Sequence, residues 1–288
     1  MYEKVSIIMP SYNYALYIKQ AIESVLNQTY RNWDLIIIDD ASTDYSLNVI
    51  NEYVKKDSRV KLIINEKNLG LAATLKKAID FADGEWIAFL ESDDEFLPDS
   101  IEEKIKAARI GADIVYTDAE LFQDKEKAAN IEEYYRKVSK YLVELDHSKF
   151  IENFPQIISK SNIIPTFSCA MVKKELIKEC KFNPICKSSL DHYLWAQLSH
   201  NKIYYINKKL TRWRLHKDSY INKDKCSWIA KFLFSISIYS QTIKNKFWLK
   251  RIFLTLNYIR TRFIYFKFTK KQIKVSLFND KIVLEKEF

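Results

Sequence analysis

Glycine is nearly missing from this chain: Gly70, Gly84 and Gly111 are the only three in 288 residues. A G-x-G-x-x-G dinucleotide turn and a Walker A loop each need several glycines close together, so both are excluded. If phosphates bind, something other than a glycine cradle holds them. Cysteine is sparse too. Cys169, Cys180, Cys186 and Cys226 make no C-x-x-C pair and stand at no ligand spacing from a histidine. Reduced thiols in a cytoplasmic protein are therefore expected rather than a disulfide framework. No window of about 18 uncharged apolar residues occurs, so no membrane-crossing helix is expected. The opening "MYEKVSIIMP" carries too short an apolar stretch for a secretory signal.

What is present reads as a globular protein, with 48% hydrophobic and 29% charged residues. The net charge of +9 is uneven: 21 Lys/Arg face only 5 Asp/Glu from residue 201 onward, leaving the rest net acidic. An acidic body with a basic tail points to two jobs rather than one.

Residues 1 to about 118 alternate short apolar runs with helical patterns. The runs are "VSIIM" (5–9), "LIII" (35–38), "VKLII" (60–64), "WIAFL" (86–90) and "DIVYT" (113–117). Each is apolar almost throughout, as strands covered on both faces are. Between them, "ALYIKQAIESVLNQ", "STDYSLNVINEYVKK", "LAATLKKAIDFA" and "DSIEEKIKAARI" repeat apolar residues at helical spacing. Strand alternating with helix predicts βαβ units and a mainly parallel α/β sheet, which binds ligands at the carboxyl ends of its strands. "PSYN" (10–13), "DDASTD" (39–44) and "ESDD" (91–94) all fall at such ends. Further on, strand-like "CAMV", helix-like "LDHYLWAQLSH" and strand-like "KIYYI" precede a tail rich in Trp, Phe, Tyr, Lys and Arg that reads as one or two helices over 226–268.

The acids after the fourth run are the densest chemical signal: Glu91, Asp93, Asp94 and Glu95 occupy four of five positions. Asp99 and Glu102 have the spacing of a helix N-cap and its capping box. Asp93 and Asp94 have no such explanation. Two carboxylates that stay ionised side by side call for a hard divalent cation with oxygen ligands, Mg²⁺ or Mn²⁺, and such a cation leaves positions open for substrate phosphates.

"VSIIMPSYNYALYIKQAIESVLNQTYRNWDLIIIDDASTD" resembles the opening of the family 2 glycosyltransferases. "NLGLAATLKKAIDFADGEWIAFLESDDEFLP" is similar to that family's next block, which ends in a DXD-type metal motif. The resemblance is strong over about residues 4–118, weaker over 160–220 and absent in the tail. It implies the GT-A fold, a Rossmann-like nucleotide-diphospho-sugar transferase domain over 1–221. Residues 1–118 would be its nucleotide-binding half and 119–221 its acceptor-binding half, with 222–288 a basic, aromatic-rich, mostly helical appendage.

Carried over by position, the resemblance implies that Pro10, Tyr12 and Asp40 hold the nucleotide base, with Asp39 supporting the loop. It implies that Asp93 serves ribose and cation, and that Asp94 is a further ligand. Asp191 matches the second acid of the "ED" motif and becomes the base that deprotonates the acceptor hydroxyl; a helix N-cap is its structural alternative, and His192 is structural or an acceptor contact. "TRWRLHKDSYI" is similar to the "YRxHxxS" segment after the last core strand. There Arg214 faces the diphosphate and His216 is either a metal ligand or a donor to phosphate. The sequence departs from the family at Glu91, where relatives carry Asp, at Leu75 and Lys76, where they carry Arg and Asn, and at Leu190, where they carry Glu. Lys76 is either a diphosphate partner or part of a solvated helix face. "LTRWR" has the RW of the processive QxxRW pattern without its spaced Gln, which implies single-sugar transfer.

These readings converge on an inverting, metal-dependent transfer from a nucleotide diphosphate sugar, UDP-linked, to a glycan or lipid-linked acceptor in bacterial surface polysaccharide synthesis. A nucleotidyltransferase and a non-catalytic nucleotide-sugar binder are the alternatives. The first usually carries a glycine-rich basic loop after its first strand, which "PSYNYALYI" lacks. Cations interleaved with aromatics in the tail fit a peripheral helix at the inner face of the membrane, or packing on the catalytic domain or on a second subunit. Nucleic acid is not an expected partner, because phosphate neutralisation would leave the acidic body unexplained.

Overall fold

The computed structural model describes residues 3–123, then 133–216 apart from 134, 137, 140, 143, 144, 147 and 185, then 227–242, 265–269 and 272–276. The first compact unit runs from Met1 to Thr242 and the second from Ile243 to Phe288.

The five apolar runs of the N-terminal half are strands β1 (Val5–Ser11), β2 (Trp33–Asp39), β3 (Val60–Ile64), β4 (Trp86–Phe89) and β6 (Ile114–Gln123). Alternate residues point to opposite faces, so each run feeds two cores. Ile8, Ile36, Ile38 and Phe89 enter one; Ile7, Met9, Leu35 and Ile37 enter the other. With β5 (Glu95–Phe96), β7 (Ala170–Lys173) and β8 (Ile203–Leu215) they form one eight-stranded sheet ordered β3-β2-β1-β4-β7-β6-β8-β5. β1 to β4 are mutually parallel, β7 runs antiparallel to both its neighbours, and β6 and β8 pair parallel. The chain winds outward from β1 to β3 and returns to β4 on the other side of β1. That reversal opens a crevice at the carboxyl ends of β1 and β4.

Helices α1 (Ile18–Leu26), α2 (Ser46–Lys56), α3 (Leu71–Phe81) and α4 (Ser100–Arg109) occupy the expected stretches. Beyond β6 come α5 (Phe154–Ile158), α6 (Lys174–Lys178), α7 (Leu190–Gln197) and α8 (Trp228–Thr242). Gly84 lies where a side chain has no room: a Cβ there would meet the Ser6 backbone nitrogen at 2.5 Å.

Several details differ from the sequence reading. Asp99 is the N-cap of α4 but makes no side-chain capping bond. Glu102 instead accepts from Thr29 Oγ1 at 2.7 Å. The start of α4 is held from elsewhere, because Gln28 Oε1 accepts the Ile101 N–H at 3.0 Å. A long-range amide thus takes the place of the local box. "TRWRL" does not follow the last core strand. It is the second half of β8, where Thr211 and Arg212 pair with Phe96 and Glu95 of β5.

Cys186 is disulfide-bonded, against the expectation of reduced thiols, whereas Cys169 and Cys180 are free; its partner lies outside the described residues. α8 belongs to the first compact unit, although the sequence places the boundary at 221/222. Its Phe234 and Ile238 are buried in the core, Phe234 edge-on to His192 at 5.6 Å between centroids. In the second unit, Tyr265–Thr269 and Gln272–Ser276 form an antiparallel hairpin, β9 and β10, rather than continuing a helix. The expectations for 217–226, 243–264 and 277–288 lie outside the described residues. No described helix is long and apolar enough to cross a membrane.

Candidate active site

Two loops at the sheet's rim are stitched together first. Asn13 and Ala41 adopt positive φ of 59° and 63°, turning the chain sharply after β1 and β2. The Thr43 N–H donates to Asn13 Oδ1 at 2.8 Å, and the Asn13 N–H to Ser42 Oγ at 2.9 Å. Asp39 takes the supporting role: Ser42 donates to it through both its N–H, at 2.8 Å, and its hydroxyl, at 2.6 Å.

Asp40 is nearly buried and organises the next loop. Its Oδ1 accepts from Asn65 Nδ2 and from the Leu69 N–H, and its Oδ2 accepts the Gly70 N–H, each at 2.8 Å. Gly70 caps α3 at φ 82° and ψ 158°, a conformation open to glycine alone. A carboxylate oxygen has two lone pairs, so Oδ2 retains one acceptor position. Pro10 and Tyr12 stand beside Asp40 in the wall of a cleft of about 650 Å³, within the usual size of small-molecule sites. Tyr12 is 43% exposed, leaving an aromatic face at the cleft mouth.

The acidic turn after β4 divides into two layers. Glu91, Ser92 and Asp93 line the cleft. Glu91 Oε2 accepts from Thr166 Oγ1 at 2.5 Å. Burial, then the charges of Asp93 and Asp191, push the Glu91 carboxyl up to about 8. Asp94 lies beneath, fully buried: Oδ2 accepts from Ser168 Oγ at 2.6 Å and Oδ1 from the Arg214 N–H at 3.0 Å. Burial and the neighbouring acids raise its pKa well above the usual carboxylate range. Its carboxylate is spent on packing the turn against β8, and it does not open on the cleft as an expected ligand would.

The two residues expected from the end of β8, Arg214 within it and His216 just after it, also stand behind the turn. His216 Nε2 lies 2.8 Å from Asp93 Oδ2, and its ring packs on Tyr17 at 4.7 Å and Tyr14 at 6.0 Å. His216 is therefore a partner of Asp93 rather than a group facing the cleft. Arg214 is 5% exposed and already engaged: Nε donates to the Asp93 carbonyl at 2.8 Å, and Nη2 to Glu95 at 2.9 Å and Gln20 at 2.7 Å. Its guanidinium lies over Phe122 at 4.3 Å and Tyr17 at 5.0 Å. Placed there, it fastens β8 to the acidic turn instead of facing a diphosphate. Lys76 pairs with Asp80 at 2.6 Å on the outer face of α3, and Leu75 is core.

Residues of 160–167 and 187–192 complete the cleft lining. Asp191 is in the first turn of α7, where Ser189 is the N-cap, and its Oδ2 accepts from Asn162 Nδ2 at 2.7 Å. Burial pushes its carboxyl up to about 6, despite that hydrogen bond. His192 also borders the cleft, but its Nε2 is engaged 2.6 Å from the Ile158 carbonyl, and burial lowers its pKa. The cleft also contains Trp213 of the "RW" pair, and Lys160, Lys187, Asn162 and Thr166, which no motif singled out. For the last two, the available signal is that Asn162, Thr166 and Ser168 punctuate the apolar run "SNIIPTFSCAMV" with small polar groups.

Glu91 and Asp93 are hard oxygen donors on one wall of the cleft. Among the described residues no three acids, histidines or cysteines gather as a metal cage. That donor set fits a Mg²⁺ or Mn²⁺ ion taking one or two carboxylates from protein and the rest from phosphate and water, and does not fit an all-protein site.

The family described as Glycosyl transferase family 2 matches residues 6–180. The Escherichia coli UDP-Glc:alpha-D-GlcNAc-diphosphoundecaprenol beta-1,3-glucosyltransferase WfgD is 30% identical over 88% of this chain and 92% of its own. An uncharacterized glycosyltransferase of Haemophilus influenzae is 46% identical over 35% of this chain and 40% of its own. This chain spans 35–45% of the length of several other curated relatives. Among solved structures, S. aureus TarS 1–349 with UDP-GlcNAc has a TM-score of 0.61 at 15% identity, covering 99% of this chain and 100% of that one. The mannosyltransferase PcManGT from Pyrobaculum calidifontis, in complex with GDP-Man and Mn²⁺, has a TM-score of 0.57 at 14% identity, covering 91% and 76%. Both likenesses give the chain the GT-A fold. With a family match across residues 6–180 and a relative aligned along nearly the whole of both chains, this protein belongs to the family 2 glycosyltransferases.

Proposed function

We propose that this protein is an inverting, metal-dependent glycosyltransferase that moves one sugar from a UDP-sugar to a glycan or lipid-linked acceptor in bacterial surface polysaccharide synthesis. The observation that carries the reading is one cleft holding three kinds of group. Tyr12 and Asp40 suit a nucleobase, Glu91 and Asp93 suit a cation, and Asp191 supplies a base in the same lining.

Pro10 and Tyr12 would flank the base, with the remaining lone pair of Asp40 Oδ2 accepting a ring N–H. Glu91 and Asp93 would hold Mg²⁺ or Mn²⁺, which when bound neutralises the diphosphate and acts as a Lewis acid on the leaving group. The Asp191 carboxylate would take the proton of the acceptor hydroxyl as the hydroxyl oxygen bonds to the anomeric carbon and the bond from that carbon to the diphosphate breaks. A base with a pKa near 6 is mostly ionised at neutral pH yet basic enough to assist attack. In-line attack on the side away from the departing diphosphate would invert the anomeric centre. WfgD's name specifies UDP-Glc and a diphosphoundecaprenol-linked acceptor, and its alignment along both chains supports that substrate class here. Such an acceptor would bring the protein to the inner face of the membrane.

Thermal unfolding with UDP, GDP and UTP, each with and without Mn²⁺, tests the donor reading, and transfer of labelled sugar from a UDP-sugar panel tests the reaction. Metal-dependent stabilisation by UDP of about 2.7 kcal/mol is expected at a hundredfold excess over Kd. Stabilisation by UTP alone would turn the assignment toward nucleotidyl transfer.

A further inference from the structure

We propose that Asn162 is a positioning residue that aims the Asp191 carboxylate into the cleft and sets its basicity. This rests on the reading of Asp191 as the base. Asn162 is 7% exposed and lies in the cleft wall between α5 and β7. Its Oδ1 accepts the Ile164 N–H at 3.2 Å, which leaves its NH₂ end for Asp191 Oδ2 at 2.7 Å. An amide NH₂ donates and cannot accept, so it favours the charged carboxylate over the protonated one. The backbone N–H groups of Asp191 and His192 also bond the carboxylate, and the amide of Asn162 fixes its Oδ2.

The same short segment reaches two further acids. Thr166 donates to Glu91 at 2.5 Å and Ser168 to Asp94 at 2.6 Å. Three acids from two distant parts of the chain are thus held by side chains of 162–168. The spacing between the base and the acidic turn is set by this strap, not by either motif alone.

Other charges bear on Asp191 too. Glu91 lies near enough for its charge and that of Asp191 to interact, Asp93 and Asp40 line the same cleft, and Lys160 and Lys187 are cations in its lining. His192 is its neighbour on α7. α5 has no titratable side chain, and the described titratable groups of α8, Lys231 and Tyr239, are exposed. Among the described residues, the side chain of Asn162 bonds the carboxylate itself, beside the backbone N–H groups of Asp191 and His192.

The test is kcat/KM against pH in the full chain, between about pH 4.5 and 9, for wild type, Asn162→Ala and Asn162→Asp, with UDP affinity measured alongside. Loss of the donor should move the acid limb up by about one pH unit in Asn162→Ala, with the plateau down about tenfold and UDP binding unchanged. Asn162→Asp keeps an acceptor for the Ile164 N–H but sets a carboxylate against Asp191, so its limb should move further; this variant carries the test if the alanine form does not fold. An unmoved limb in both, or an equal loss at every pH, overturns the proposal. Asp191→Asn separates the two readings. If it keeps turnover, the base assignment falls and this inference with it; if it is inactive while the limbs stay in place, only the role of Asn162 falls.

Discussion

His216 Nε2 lies 2.8 Å from Asp93 Oδ2, joining the residue after β8 to the turn after β4 across 123 positions of sequence. The ring fixes one oxygen of the carboxylate and leaves the other for the cleft. Outer partners of this kind commonly change metal affinity by about 10–100-fold when removed. His216→Ala should therefore raise the Mn²⁺ concentration needed for half-maximal UDP binding by about tenfold or more, with little change in UDP affinity at saturating metal. Equal loss at all metal concentrations would assign the ring to the fold alone.

Asp191→Asn should lower turnover by about 10²–10⁴-fold while sparing UDP binding. In the wild type the base works when deprotonated, and its pKa is raised to about 6. The rate should fall as pH drops through about 6 and flatten above it. A profile flat down to pH 5 would remove Asp191 from the role.

The two cleft acids are expected to act together. Asp93→Asn or Glu91→Gln should abolish the extra thermal stabilisation that Mn²⁺ adds to UDP, leaving the unliganded Tm within a few degrees. Asp94→Asn should behave in the opposite way, because its oxygens are packed against Ser168 and Arg214. It should lower Tm first and metal affinity only in consequence. Titrating Mn²⁺ into each variant by differential scanning fluorimetry decides between them.

Lys104 is fully buried on α4, with Nζ donating to the Ser168 carbonyl at 3.3 Å and lying 4.5 Å from the Phe96 ring. Burial lowers its pKa to about 8 from 10.5. In that window the unfolded chain holds a proton that the folded one has released, so stability rises as pH goes from about 8 to 10.5. Below 8 the charge is buried at a cost. Lys104→Met should raise stability at pH 7 by about 1–3 kcal/mol and flatten the slope above pH 8. Urea unfolding at pH 7 and pH 10 measures both; a less stable variant with the slope intact would contradict it.

Gly84→Ala should destabilise the fold by about 2 kcal/mol or more, since the new Cβ would meet the Ser6 backbone at 2.5 Å near the start of the buried strand β1. Chemical denaturation of the variant checks this, with a midpoint equal to wild type as the disproof.

Much of this architecture is legible in composition and period. The apolar runs at 5–9, 35–38 and 86–90 are strands buried on both faces, 60–64 is the partly exposed edge strand, and the polar clusters after the buried strands meet at one rim. Pro10, Tyr12, Asp40, Glu91, Asp93 and Asp191 do share one cleft. The sequence by itself determined those elements, their mostly parallel order and the acids the cleft contains, because hydrophobic period and strand-end position are local properties. Which acids face the cleft was decided only by the tertiary structure. Asp93 and Asp94 are adjacent and chemically alike, yet β8 and the 162–168 strap bury one and expose the other. Arg214 and His216 became fasteners, and Gln28 and Asn162 gained their roles, through hydrogen bonds to partners 29 to 194 residues away. Bonds of that range depend on how the sheet closes, and no local pattern of residues records it.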